Sequence, residues 1–434
     1  MSYQDLWAEP AVAGRIASGI EKHRKGDGVV QVTDFGGKPL SGVKVRVKQH
    51  DSSFHFGANI FQLGGFPTEE LNRRYEEAFC GLFNGATVPF YWRTLEPEQG
   101  SPRFAAGSVP IVRRPPPDTV VEFCQKRGLR MHGHTLVWAF KKWSVPDWLS
   151  EDIAVSGPLW EKRIREIGTR YGKVIKQWDV LNEARSDYGF PRAQPMPENY
   201  ERLAFKWAEE NFPDDVRLDI NETSGFWLTK LDEATGRWDL ENPAYHELIR
   251  NLLDDHARIG AVGLQFHLFS DKELERVMAG ELHDPARLFD ALDRYGEFGL
   301  PIHVSEITLT SPGNTAGGLE AQAEAARNFY RLWFSHPAVT AISWWNVPDG
   351  GAAPGENRVF PGLLFDDLRP KPSYDALRDL LHHEWRTDVA GVTDEHGRFA
   401  FRGFHGRYVV RTEDGFESVL GLRPGQTGNV TIRL

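Results

Sequence analysis

The chain has 434 residues, of which 51 are Lys or Arg and 61 Asp or Glu, and its net charge of −10 argues against a nucleic-acid backbone as ligand. Hydrophobic residues at 40% and charged residues at 26% are the proportions of an ordinary globular protein, which excludes wholesale disorder. No apolar run is long enough to cross a bilayer as a helix, so no membrane is expected as a partner, and two cysteines, Cys80 and Cys124, cannot build a disulfide framework or a four-cysteine metal site.

Residues 1–26 read as a helical leader without the basic, apolar and small-residue order of a secretory signal. As written, the chain is expected in the cytoplasm; if a signal segment has been removed, it is expected in the periplasm or outside the cell. From Val29, VVQVTDFGGKPLSGVKVRVKQ alternates valines around a Gly-Gly turn and predicts a hairpin. Near the C-terminus, GVTDEHGRFAFRG, RYVVRTEDGF and NVTIRL repeat that alternation between Asp/Gly turns. Two strands alone are marginal, so residues 27–50 and 387–434 are expected to share one discontinuous β-sandwich. The runs V-x-D-x-x-G-x-P-L-x-G-V and T-D-x-x-G-x-F-x-F within it resemble small sandwich modules of the carboxypeptidase-regulatory type.

Between these ends, residues 51–386 alternate short β-branched or apolar runs with helical stretches, the pattern of a parallel sheet built from β/α units. Strands are predicted at Phe54–Asn59, Gly85–Phe90, Arg130–His134, Gln177–Leu181, Val216–Asn221, Gly263–Leu268, Ile302–Ser305 and Ala341–Trp345. Eight is the number that closes a (β/α)8 TIM barrel, and no G-x-G-x-x-G follows the first strand to favour a doubly wound sheet. ENYERLAFKWAEEN and DPARLFDALDRYGEFG show helical spacing of apolar residues, while RRPPP at Arg113–Pro117 reads as a stiff loop. The expected fold is therefore α/β: a barrel with a small sandwich made from both chain ends.

Reactive side chains of such a barrel stand at the C-terminal ends of its strands. There the sequence places Asn59, His134, Trp138, Asn182, Glu183, Asn221, Glu222, Gln265, His267, Glu306, Trp344 and Trp345. A single glutamate after a strand can merely begin a helix, its charge near the positive end of the dipole. Two of them, on the fourth and seventh strands, face one another across the barrel. Glycoside hydrolysis needs such a pair, about 5–5.5 Å apart for retention and about 6.5–9.5 Å apart for inversion.

WDVLNEA at Trp178–Ala184 and IHVSEIT at Ile302–Thr308 resemble the acid/base and nucleophile signatures of glycoside hydrolase family 10, the xylanase family. GHTLVW at Gly133–Trp138, LQFHL at Leu264–Leu268, LEPEQG at Leu95–Gly100 and KPSYDAL at Lys371–Leu377 match in the same order, across essentially the whole barrel. The resemblance implies a retaining enzyme without cofactor or metal, acting on a β-linked oligo- or polysaccharide. It makes Glu183 the general acid/base and Glu306 the nucleophile. Asn182 would bind the sugar 2-hydroxyl, or alternatively cap a helix. His267 and Gln265 share a face, with the histidine set against the nucleophile as a donor. His134 and Trp138 would line the ring before the bond, Trp344 or Trp345 would stack on it, and Asn59 and Tyr91 complete the candidate sugar contacts.

The second strand departs from the family. Its usual Glu-Asn-x-x-Lys-Trp run is replaced by TVPFYW, with Thr87, Val88 and Tyr91 in place of the polar residues. The histidine after LVW is Ala139, and PDGGAAPG lacks the second tryptophan. A shorter, decorated or different β-glycoside is a competing substrate, since specificity rests on such buried polar contacts. His132-Gly-His134 admits a metal-dependent hydrolase, and a non-catalytic sugar-binding barrel is a further rival, although both carboxylates are present. The sandwich shows no aromatic platform and is expected to clamp the chain ends rather than to bind sugar.

Overall fold

The computed structural model describes residues 2–184, 194–227, 230–232, 237–239 and 243–434. Helices Tyr3–Ala8 and Pro10–Arg24 lead into β1 (Lys25–Thr33) and β2 (Lys44–Ser52). Ser2 and Asp5 form a capping box on the first helix, and Pro10 begins the second, where its missing N–H costs no hydrogen bond.

The barrel follows: β3 (His55–Asn59), β4 (Gly85–Pro89), β5 (Arg130–His134), β6 (Gln177–Asn182) and β7 (Arg217–Glu222), then, after a short pair β8 (Lys230–Asp232) and β9 (Arg237–Asp239), β10 (Ala261–His267), β11 (Ile302–Thr308) and β12 (Val339–Trp344). Parallel ladders close it in the order β10-β11-β12-β3-β4-β5-β6-β7, as the eight predicted strands require. All residues of β10 and β11 are buried, because one face meets the barrel interior and the other the surrounding helices. The 20-residue helix Ala316–Ser335 illustrates the helical layer, burying Phe329, Tyr330, Trp333 and Phe334. None of the described helices is long and apolar enough to cross a membrane.

Two irregularities aim the functional side chains. On β11 the register shifts between Val304 and Ile307 against both neighbours, so Ser305 and Glu306 occupy a bulge. On β6 it shifts between Asp179 and Leu181, which lets Val180 and Leu181 both join the apolar core. A bulge turns a chosen residue toward the other face, and these two stand beside the carboxylates.

The ends of the chain meet in two further sheets. β1 pairs antiparallel with β14 (Arg398–Phe404) and parallel with β17 (Gly428–Arg433). β13 (Asp388–Val392), β2, β15 (Gly406–Thr412) and β16 (Glu417–Leu422) form the other sheet in that order. The hairpin predicted from Val29 is therefore corrected: β1 and β2 lie in different sheets. Their valines, Val30 and Val32 on one and Val45 and Val47 on the other, meet in the core with Tyr408 and Leu420, and alternation alone does not distinguish facing strands from paired ones. Arg24, at the end of the second helix, is buried and donates to the carbonyls of Phe334, His336 and Val339, fastening the leader to the barrel.

Candidate active site

A cavity of about 460 Å³ opens at the C-terminal ends of the barrel strands. Glu183 just past β6 and Glu306 on β11 line it, together with Asn182, His134, Trp138, Gln265, His267, Tyr91 and Trp345. Two expected sugar contacts lie elsewhere. Trp344 is wholly buried, its indole N–H donating to the carbonyls of Asn346 at 2.9 Å and Pro361 at 3.2 Å, because strand alternation turns Ser343 inward and Trp344 outward. Trp345 falls just past the strand end and takes the wall position. Asn59 is buried and outside the lining.

The carboxylates have separate partners. Gln265 Nε2 donates to Glu183 Oε1 at 3.2 Å, and Asn221 Nδ2 donates to Glu306 Oε1 at 2.9 Å. Asn182 Oδ1 accepts from both amides, at 3.3 Å from Gln265 and 2.9 Å from Asn221. Ser305, brought inward by the bulge, donates to Asn221 Oδ1 at 2.6 Å and so fixes which end of that amide faces Glu306. Glu183 takes a left-handed backbone conformation, φ 51°, held by its N–H bond to the Asn221 carbonyl at 2.9 Å. Positive φ at a non-glycine residue is stored strain of the kind found at reactive sites.

Burial, then the charge of Glu306, pushes the Glu183 carboxyl up to about 8. Burial likewise pushes Glu306 up to about 7, opposed by His134 and by the Asn221 hydrogen bond. Glu183 therefore holds its proton more firmly than Glu306, and one can donate while the other is ionised.

The histidines differ from one another. His134 Nδ1 lies 2.7 Å from Asp179 Oδ2, which fixes its ring with Nε2 3.9 Å from Glu306 Oε1. Asp179 also meets His132 Nε2 at 3.0 Å; these two imidazoles hold its carboxyl well below the usual range although burial acts the other way. His267 is pushed down to about 4 by burial and is neutral near pH 7. Since Gln265 Nε2 already donates, its Oε1 accepts from His267 Nε2 at 3.1 Å, and Thr308 Oγ1 then donates to Nδ1 at 2.8 Å. His267 Nε2 stays 3.5 Å from Glu306 Oε2, so the direct donor expected there is supplied by Asn221 instead.

Sequence reasoning named Asn221 as a strand-end residue without a role and passed over Asp179 and Ser305. The period-two pattern of the strands carried a signal for Asp179, two residues after Gln177, but none for the bulged Ser305. It also missed the loop residues Arg113, Arg114, Phe140, Trp143, Phe269 and Glu356, which complete the cavity wall. His132, with Asp219 and His303, could hold a metal, their ligand atoms lying within 4.8 Å of one another. Gln177 and Ser343 already hydrogen-bond Asp219 and His303, at 2.7 and 2.8 Å. The pair His132 and His134 converges on Asp179, a carboxylate, rather than on a shared open position.

Known proteins agree with this architecture. The Endo-1,4-beta-xylanase B of Thermotoga neapolitana is 27% identical over 376 residues, 81% of this chain and 95% of the relative. The Endo-1,4-beta-xylanase B of Paenibacillus barcinonensis is 26% identical over 73% of this chain and 94% of its own length. The crystal structure of xylanase 10B from Thermotoga petrophila, in complex with xylobiose, superposes with a TM-score of 0.59 at 23% identity over 76% of this chain and 95% of that one, a likeness of fold. The model of glycosyl hydrolase family 10 matches residues 90–380, which carry both glutamates, and the chain belongs to that family of glycoside hydrolases.

Proposed function

We propose that Glu183 is the acid/base and Glu306 the nucleophile of a retaining hydrolysis of β-glycosidic bonds, acting on xylan-derived oligosaccharide. The observation that carries this assignment is the unequal pair: Glu183 keeps its proton to a higher pH than Glu306. In the first step Glu306 attacks the anomeric carbon while Glu183 protonates the leaving oxygen. The ester that forms removes the charge of Glu306, Glu183 then ionises more readily, and it takes the proton of the water that releases the sugar. Asn182, Gln265, His134, Trp138, His267, Tyr91 and Trp345 are the proposed sugar contacts.

We further propose that residues 27–50 and 387–434 form one domain that clamps the ends of the barrel domain 51–386, behind the leader 1–26. With a polymer as substrate the enzyme would act outside the cell or in the periplasm, and with imported short fragments in the cytoplasm.

The test uses an aryl xylobioside with a good leaving group, which needs no protonation. Glu306→Gln is expected to abolish its cleavage, while Glu183→Gln retains the glycosylation burst and stalls afterwards. Equal loss of the burst in both variants would reverse or remove the assignment.

A further inference from the structure

Arg113 and Arg114, from the Pro-rich loop before helix Pro117–Arg127, both face the cavity. Among the described residues neither guanidinium forms an ion pair. Arg113 donates to Asn346 Oδ1 at 3.3 Å, and the Arg114 guanidinium donates to the Arg113 carbonyl at 2.8 Å. Arg114 Nε is buried without a hydrogen-bond partner. Its guanidinium carbon lies 3.9 Å from the centre of the Tyr91 ring and 4.9 Å from that of Phe61, so the cation is held between aromatic rings rather than by a counterion.

Burial lowers both arginines, Arg114 to about 10, which still leaves them charged near neutral pH. The wall acid whose charge acts on both is Glu356, held by Asn346 Nδ2 at 2.8 Å. Asn346 thus stands between Glu356 and Arg113, and one carboxylate faces two guanidiniums. A desolvated charge without a partner is costly, and a planar guanidinium fork is shaped for a carboxylate. The place is beside the reaction centre rather than in it: the Tyr91 ring that Arg114 covers lies 5.3 Å from His134, which in turn faces Glu306.

We propose that the Tyr91 wall is a carboxylate-binding subsite, in which Arg113 and Arg114 grip the uronic acid unit of an acidic β-glycan fragment. This rests on the hydrolase reading above and narrows its substrate. The wall that carries Tyr91 in place of a neutral-sugar contact gains two cations, so recognition passes from hydroxyl groups to charge. A neutral sugar could accept hydrogen bonds from these arginines, but it would leave their charge uncompensated.

The experiment compares kcat/KM for a nitrophenyl β-xylobioside and for the same glycoside carrying a glucuronosyl unit on its non-reducing xylose. The wild type is expected to favour the acidic glycoside about tenfold or more. Arg114→Gln is expected to erase that ratio, and Arg114→Lys to keep part of it, since a point charge remains without the fork. A second measurement needs no variant: glucuronate should inhibit hydrolysis of the neutral glycoside at about one tenth the concentration of glucose or less. A wild type that cleaves the neutral glycoside with no preference for the acidic one, and is inhibited equally by both sugars, overturns the subsite alone. Cleavage of neither glycoside removes the hydrolase assignment and this proposal with it.

Discussion

Glu306 stands buried and ionisable on a bulge, and its chemistry sets two measurable pH dependences. The proposed mechanism needs Glu306 charged and Glu183 protonated, so kcat/KM should be bell-shaped, its acid limb belonging to Glu306 near 7 and its alkaline limb to Glu183 near 8. Glu183→Gln, assayed on an activated aryl glycoside, should lose the alkaline limb and keep the acid one. The same burial bears on stability. A carboxyl raised from about 4.3 when unfolded contributes fully below that value, and the contribution is lost as pH rises through the folded value near 7. Glu306→Gln should therefore melt above the wild type by about 2 °C or more at pH ~8, with a smaller difference at pH ~5; a difference independent of pH would contradict the burial argument. Both glutamates were legible in the sequence because a strand end and an ordered set of motifs mark them. Trp344 and Trp345 were not separable, since the residue at which β12 stops decides which ring turns outward. Arg113 and Arg114 carried no signal of their destination, which a loop receives only from the elements it packs against.

At the scale of elements, the positions of all eight barrel strands could be read from alternation of apolar runs with helical periods, and their register could not. A strict period of two would place Ser305 and Glu306 on opposite faces, whereas the bulge gives both to the interior. The KPSYDAL motif acquires a physical reason here. Lys371 Nζ meets Asp349 Oδ1 at 2.7 Å, with both side chains fully buried, and also donates to the Phe360 carbonyl at 3.0 Å. Asp349 in turn accepts from the Gly362 N–H at 2.8 Å and from Asn314 at 3.0 Å. This pair pins the segment that carries Glu356 to the barrel. Lys371→Met should destabilise the protein by about 3–5 kcal/mol in urea unfolding, because it strands a buried carboxylate, and adding Asp349→Asn should restore part of the loss. Additive effects of the two substitutions would show that the pair is not coupled.

Across the whole molecule, the two terminal sheets were foreseeable as strands but not as facing layers, since Val30, Val32, Val45 and Val47 present the same alternation in either arrangement. Among the described strands, β1 pairs with β14 and β17 alone, and β2 with β13 and β15 alone. Removing residues 388–434 should leave both strands with bare edges and their valines in water, lowering the melting temperature and promoting aggregation at micromolar concentration. Unchanged melting and activity in the truncated chain would show that the pairing contributes nothing. The parallel pairing of β1 with β17 also bears on biosynthesis. The first strand leaves the ribosome ~370–400 residues before its partners, which at about 5–20 residues per second is a wait of about 20–80 seconds. During that interval the barrel is assembled while an incomplete, edge-exposed sheet trails from its leading end, and a nascent chain stalled within the last sandwich strands would carry a finished catalytic barrel on an unsealed surface.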